Sequence, residues 1–222
     1  MMNTTIQQTD IQLVKQHICT AQGSNTNLLE ILTRSKRDVD IQTFVNNLER
    51  NERGHILDLE VLDQLNIHKF PKSQKVFVNL TNSSLHKKNF EKIMKSLTHN
   101  QNSIVVEITE SLISWQHTEG MKAIMTLKNT KIPIALDDFI INNKFSQLEL
   151  KRIQPDYVKI SAQSFTSLPL SNIKKLVNLI RNSTPTAKVI LEGVSDEALF
   201  KRAQKIDADY LQGYFFHTPD KL

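Results

Sequence analysis

Residues 133–139 read Pro133-Ile134-Ala135-Leu136-Asp137-Asp138-Phe139, a short apolar run that ends in two adjacent carboxylates. Working outward, the same pattern recurs along the chain. Leu28-Leu29 runs into Glu30, Val76-Phe77-Val78 into Asn79, and Ile104-Val105-Val106 into Glu107. Further on, Tyr157-Val158 runs into Lys159 and Val189-Ile190-Leu191 into Glu192, with Tyr210-Leu211 before Gln212 as a weaker case. Short runs rich in β-branched residues read as buried strands. Stretches with helical spacing separate most of them. Alternating strands and helices indicate a parallel sheet, and eight or nine strands in one domain indicate closure into a barrel. Polar groups at the C-terminal ends of successive barrel strands point into one shared mouth, where β/α barrels carry their active sites. A ring of carboxylates with one amide suits hard divalent cations, which take oxygen ligands.

The other elements follow from periodicity. Ile11 to Ile18 reads as a first, imperfect strand, followed by a turn over Thr20 to Asn27. Helical spacing joins Ile41, Phe44, Val45 and Leu48, then Ile56, Leu59, Leu62 and Leu65, with Gly54 dividing two helices. Further helices carry Phe90, Ile93, Met94 and Leu97, then Met121 to Leu127, then Leu148 to Ile153, which Pro155 stops. Another carries Ile173, Leu176, Val177 and Ile180, and Asp196 caps a helix running to about Ile206. Tyr210 to Phe216 reads as the last strand. The expected organisation is a flexible N-terminus over residues 1–10 and a single domain over 11–222.

The chain has 222 residues, near the low end for eight βα units. Its net charge of +5 is compatible with an anionic ligand such as a nucleotide. The basic run Arg34, Lys36 and Arg37 has no aromatic stacking pattern beside it, so a nucleic acid polymer is not an expected partner. One cysteine, Cys19, forms no internal disulfide and excludes a thiolate metal cluster, and the chain reads as cytoplasmic. No apolar run approaches the ~20 residues of a membrane span, so no membrane partner is expected. There is no HExxH motif and no glycine-rich phosphate loop.

At these residues the chain resembles the EAL domain, a bacterial TIM-like (β/α)8 barrel that hydrolyses cyclic di-GMP. Gln16 is similar to the family's opening glutamine. Glu30-Ile31-Leu32-Thr33-Arg34 is similar to its Glu-Ala-Leu-x-Arg motif, and Asn79 to the asparagine of its Asn-Leu-Ser motif. Glu107-Ile108-Thr109-Glu110, Asp137-Asp138-Phe139, Lys159-Ile160, Glu192-Gly193-Val194, Gln212-Gly213-Tyr214 and Pro219 follow in the family's order. The resemblance implies one or two Mg²⁺ or Mn²⁺ ions. Glu30, Asn79, Glu107 and Asp137 would bind the first, and Asp137, Asp138 and Glu192 the second. It implies catalytic roles for Lys159, Glu192 and Gln212, and contact with cyclic di-GMP for Gln16, Ile31, Leu32 and Arg34. Glu110 would support the loop that follows the paired aspartates. Implied partners are cyclic di-GMP, a second copy in a homodimer and a regulatory protein.

Three places depart from the family pattern. Residues 140–146 lack the two glycines usual after the paired aspartates, and the loop is one residue longer. Ser161 stands where the family has an aspartate, and Ser195 where it has a glutamate. Two functional readings follow. One is a metal-dependent phosphodiesterase that produces linear pGpG, supported by the full set of ligand matches and Lys159. The other is a degenerate member acting as a cyclic di-GMP sensor or protein-binding regulator, supported by the altered loop and the two serines.

Overall fold

The computed structural model describes residues 11–36, 40–98, 103–109, 118–139 and 147–222. A hairpin opens the chain. Strand β1 (Ile11–Thr20) pairs antiparallel with β2 (Asn25–Ser35), and Gln16 lies opposite Glu30 in the register. Two helices follow, α1 (Ile41–Arg50) and α2 (Gly54–Ile67). The Asp40 carboxylate caps α1 by accepting from Thr43 N–H, which satisfies one of the helix's unpaired donors.

From there strands and helices alternate. They are β3 (Lys75–Asn79), α3 (Lys87–Thr98), β4 (Ile104–Thr109), α4 (Thr118–Asn129), β5 (Ile134–Phe139) and α5 (Gln147–Ile153). Next come β6 (Tyr157–Ile160), α6 (Ala162–Ser167), α7 (Leu170–Ser183), β7 (Lys188–Leu191), α8 (Glu197–Ala203), β8 (Tyr210–Leu211) and β9 (Asp220–Lys221). Strands β2 to β8 pair parallel in chain order. Antiparallel β1 lies between β8 and β2 and closes a barrel of eight, while β9 pairs with the first half of β1. The fold is a TIM-like (β/α)8 barrel with one strand reversed.

Side chains alternate along each strand. The larger apolar cluster fills the space between barrel and helices, for example Ile104, Val106 and Ile108 of β4 against Leu127 and Leu97. A smaller one lies within the barrel: Ile18, Leu28, Phe77, Val105, Ala135 and Ile190, with Tyr157 and Tyr210 packed against them. Phe77 and Tyr157 meet edge to face at 4.8 Å in this layer. No described helix is long and apolar enough to cross a membrane.

Several expected elements are shorter in the structure, and strand β9, a 3-10 turn at Asn82–Leu85 and helix α6 are added. Strand β8 ends at Leu211; beyond it Gly213 passes so close to the loop after β7 that a Cβ there would stand 2.1 Å from Val194 O. The Asp196-capped helix ends at Ala203, not Ile206. Helix α6 is added, with Ser161 as its N-cap: the Ser161 hydroxyl accepts from Ser164 N–H at 3.2 Å.

Candidate active site

The apolar layer inside the barrel generates the polar one. Two residues beyond Leu28, Phe77, Val105, Ala135, Tyr157, Ile190 and Tyr210 lie Glu30, Asn79, Glu107, Asp137, Lys159, Glu192 and Gln212. A strand repeats its facing every two residues, so each of these lies one step nearer the C-terminal mouth. Strand β1 runs the other way, and there the step from Ile18 leads back to Gln16.

Asp138 joins the group through a bulge. Pairing of β5 with β6 shifts register between Leu136 and Phe139, and Asp138 takes φ +54°. Aspartate tolerates this left-handed conformation better than most side chains. The bulge lets two consecutive aspartates approach one site, where a regular strand would send them to opposite faces.

Lys159 is the centre of the ring. It is fully buried, and its Nζ lies 2.8 Å from Glu107 Oε1 and Glu192 Oε1 and 3.2 Å from Glu30 Oε1 and Asp137 Oδ1. Asn79 Nδ2 donates to Glu107 Oε2 at 3.0 Å and to Glu30 Oε1 at 3.5 Å, leaving its Oδ1 for a cation. Gln212 Nε2 donates to Glu30 Oε2 and to Gln16 Oε1, and Gln16 Nε2 donates to the His217 carbonyl. Glu30 and Gln16 are thereby tied to the closing seam. Nearer the mouth, one oxygen each of Asp137, Asp138 and Glu192 lie within 4.8 Å of one another.

The electrostatics follow from crowding. Burial opposes charge on Lys159, but Asp137, Glu107, Glu192 and Glu30 together hold its pKa well above the ordinary lysine value. Burial raises Glu107 well above the carboxylate range, and the Glu30 charge adds to this. Burial also pushes Glu192 up to about 8, against the pull of Lys159. Asp138 is raised by burial and by Asp137. Glu30 is lowered: burial works against it, but Lys159 and the Gln212 amide outweigh burial. Five carboxylates thus share one ammonium. Oxygen-only donors with surplus negative charge fit hard divalent cations, which relieve that surplus.

A cleft of about 460 Å³ opens from this ring toward α1 and α2. Ile31, Leu32 and Arg34 line it together with Glu30, Asn79, Asp137 and Asp138. Ile31 is also part of the core between barrel and helices. Glu110 and the loop 140–146 lie outside the described residues. Ser195 is exposed, with its hydroxyl donating to Asp196 Oδ2.

Two acids in this region escaped the sequence reading. Glu49 of α1 and Asp58 of α2 line the same cleft. The available signal for Asp58 was its place on an apolar helical stripe with Val61, Leu62 and Leu65.

Residues 1–219 match the EAL domain family. The chain is 29% identical over 157 residues to "Cyclic di-GMP phosphodiesterase PdeA" of Borreliella burgdorferi, covering 65% of this chain and 22% of that protein. The chain thus spans about a fifth of the length of that relative. The barrel superposes on "PaMucR Phosphodiesterase, c-di-GMP complex" with a TM-score of 0.80 at 21% identity, covering 96% of this chain and 97% of that one. It superposes on the Klebsiella pneumoniae BlrP1 complex with calcium and cyclic di-GMP with a TM-score of 0.79 at 21% identity, covering 95% and 56%. With the family match running almost end to end, this chain belongs to the EAL domain family.

Proposed function

We propose that this chain is a divalent-metal-dependent phosphodiesterase that opens cyclic di-GMP to linear pGpG. The observation that carries the reading is the ring of Glu30, Asn79, Glu107, Asp137 and Glu192 around buried Lys159 at the barrel mouth. A ring so rich in acid costs stability in a folded protein, because buried like charges repel. It is useful where cations bind. The relative PdeA carries this activity in its name, and the BlrP1 complex holds calcium with cyclic di-GMP.

Glu30, Asn79, Glu107 and Asp137 would hold one cation, and Asp137, Asp138 and Glu192 a second. Mg²⁺ or Mn²⁺ bound there supplies an acidified water and offsets charge on phosphorus. The chain's own residues do the rest. Arg34, on the wall of the cleft, offers a planar fork of donors to a phosphate oxygen. Lys159, kept protonated by its four carboxylates, orients the attacking water and balances negative charge as it develops. Gln212 and Gln16 fix the Glu30 carboxylate from the seam. Ile31 and Leu32 give the ligand an apolar wall. Overall, a water oxygen bonds to phosphorus and one ring ester P–O bond breaks; the departing ester oxygen takes one water proton to become a hydroxyl, and the other proton passes from the new phosphate to solvent.

The test is chromatographic. Protein incubated with cyclic di-GMP and Mn²⁺ or Mg²⁺ yields pGpG, while EDTA or Glu30→Ala abolishes it. Equal turnover by parent and Glu30→Ala, or none by either, ends the proposal. In the second case calorimetry with cyclic di-GMP reports whether the chain is a sensor instead.

A further inference from the structure

Asp58 is a buried acid that the chemistry above does not use. It is 3% exposed, on the inward face of α2. One oxygen, Oδ2, accepts three hydrogen bonds: from Thr81 N–H at 2.7 Å, from the Thr81 hydroxyl at 2.7 Å and from the Ser84 hydroxyl at 2.5 Å. All three donors belong to the turn that leaves β3, and Thr81 lies two residues beyond Asn79. The other side of this exit is tied to β4, where Leu80 N–H donates to the Glu107 carbonyl at 3.0 Å. The backbone after Asn79 is therefore held between a neighbouring strand and a helix carboxylate.

A second acid reinforces the turn. Glu49 Oε1 accepts from the Ser83 hydroxyl at 2.8 Å, and Ser83 Oγ accepts from His55 N–H at 2.7 Å. The joint is tight: a Cβ at Gly54 would lie 1.9 Å from Glu49 Oε1 and 2.6 Å from the Thr81 hydroxyl. Glu49, Asp58, Thr81 and Asn82 form the wall of the cleft that also contains Glu30, Asn79, Asp137 and Asp138. A carboxylate on an apolar helix face is costly, and burial pushes Asp58 up to about 6 even with three donors. A hydrophobic residue there would favour packing of α2; what it could not do is grip the β3 exit.

We propose that Asp58 is a positioning residue for Asn79. Through Thr81 and Ser84 it fixes the backbone on which the Asn79 amide approaches Glu30, Glu107 and a divalent cation bound with them. The inference rests on the metal-dependent reading above. Partners that orient metal ligands typically change metal affinity about 10–100-fold when removed.

The experiment measures Mn²⁺ affinity of the full chain by electron paramagnetic resonance of free Mn²⁺, at a temperature where each variant is folded by circular dichroism. Asp58→Ala weakens binding about 10-fold. Asp58→Asn, which keeps an oxygen for the three donors, stays within about threefold of the parent, a rescue that loss of the carboxylate charge alone would not give. In an Asn79→Ala background Asp58→Ala has no further effect, because its action runs through Asn79. If Asp58→Ala does not fold, Thr81→Val deletes one donor at constant shape and weakens binding about threefold. Unchanged affinity in Asp58→Ala or, where that variant is unfolded, in Thr81→Val overturns the inference. So does an equal loss in Asp58→Asn, or an equal loss with Asn79 already removed. A parent that binds no Mn²⁺ overturns the proposed function and this inference with it.

Discussion

The Lys159 ammonium lies 2.8 Å from Glu107 Oε1, and both side chains are sealed from solvent. Burial raises the Glu107 pKa, and the charges of flanking Glu30 and Asp137 add to this. Lysine and carboxylates are mutually dependent here: removing the one cation leaves buried anions without compensation, which costs far more than losing an exposed pair.

Lys159→Met therefore lowers stability in EDTA by about 3–5 kcal/mol. Mn²⁺ restores more of the melting temperature in this variant than in the parent, because it supplies the missing positive charge. Calorimetric melts with EDTA and with Mn²⁺ read both effects. Identical melting of parent and variant in EDTA would show that the ammonium contributes nothing to the fold.

Gln212 joins Gln16 to Glu30 in a buried chain of hydrogen bonds. Deleting either glutamine strands a polar partner, at about 1–3 kcal/mol each. Gln16→Ala and Gln212→Ala are expected to be non-additive, with a coupling of about 0.5–3 kcal/mol in urea denaturation. Strict additivity would mean that the two amides do not interact in solution.

Gly54 opens α2, where helix preference alone favours alanine over glycine. The close approach of Glu49 and Thr81 reverses that expectation. Gly54→Ala destabilises by about 1–3 kcal/mol through overpacking at this joint. A gain in stability by thermal melt would show that the joint yields without cost.

Asp58 sets a pH dependence of its own. Its pKa is about 6 when folded, against an ordinary value of 3.8, so between these values the folded chain holds the proton more firmly than the unfolded one. The Asp58 contribution to stability is present below about pH 4 and falls as pH rises toward 6, by on the order of 2–3 kcal/mol. It levels off only about one unit above the folded value, near pH 7. Asp58→Asn lacks this slope, so the difference between variant and parent grows in favour of the variant across that window. Urea titrations at pH 4, 5, 6 and 7 measure it, and parallel curves would contradict it.

The barrel and most of its polar ring were legible because strands repeat every two residues. An apolar residue facing inward predicts the facing of the polar residue two positions on, so Phe77 announces Asn79 and Val105 announces Glu107. Gln16 carries the same signal read backwards from Ile18, because β1 runs antiparallel; what ties it to the ring is its pairing with Glu30 and the Gln212 contact. The α2 stripe is wider than its expected members. Leu62 and Leu65 are buried and Ile56 and Leu59 pack at the margin, but Leu57, Asp58 and Val61 are buried too. That extra width hid Asp58, since an acid in a helix reads as solvated until the full buried face is known. Helix α6 was missed because Ala162–Ser167 has one large apolar side chain, Phe165, and so no period.

The Gln16–Gln212 contact joins residues 196 positions apart. A barrel sealed by its first and last strands imposes an order on protein synthesis. All five carboxylates leave the ribosome before Gln212, and Glu30 waits 182 residues for its amide donor. At roughly 5–20 residues per second that delay is on the order of 10–40 s. A nascent chain halted before β8 carries every acid of the ring and no closed wall to hold them together. Such a fragment would be a metal scavenger without geometry, and a substrate for chaperones until the seam is made.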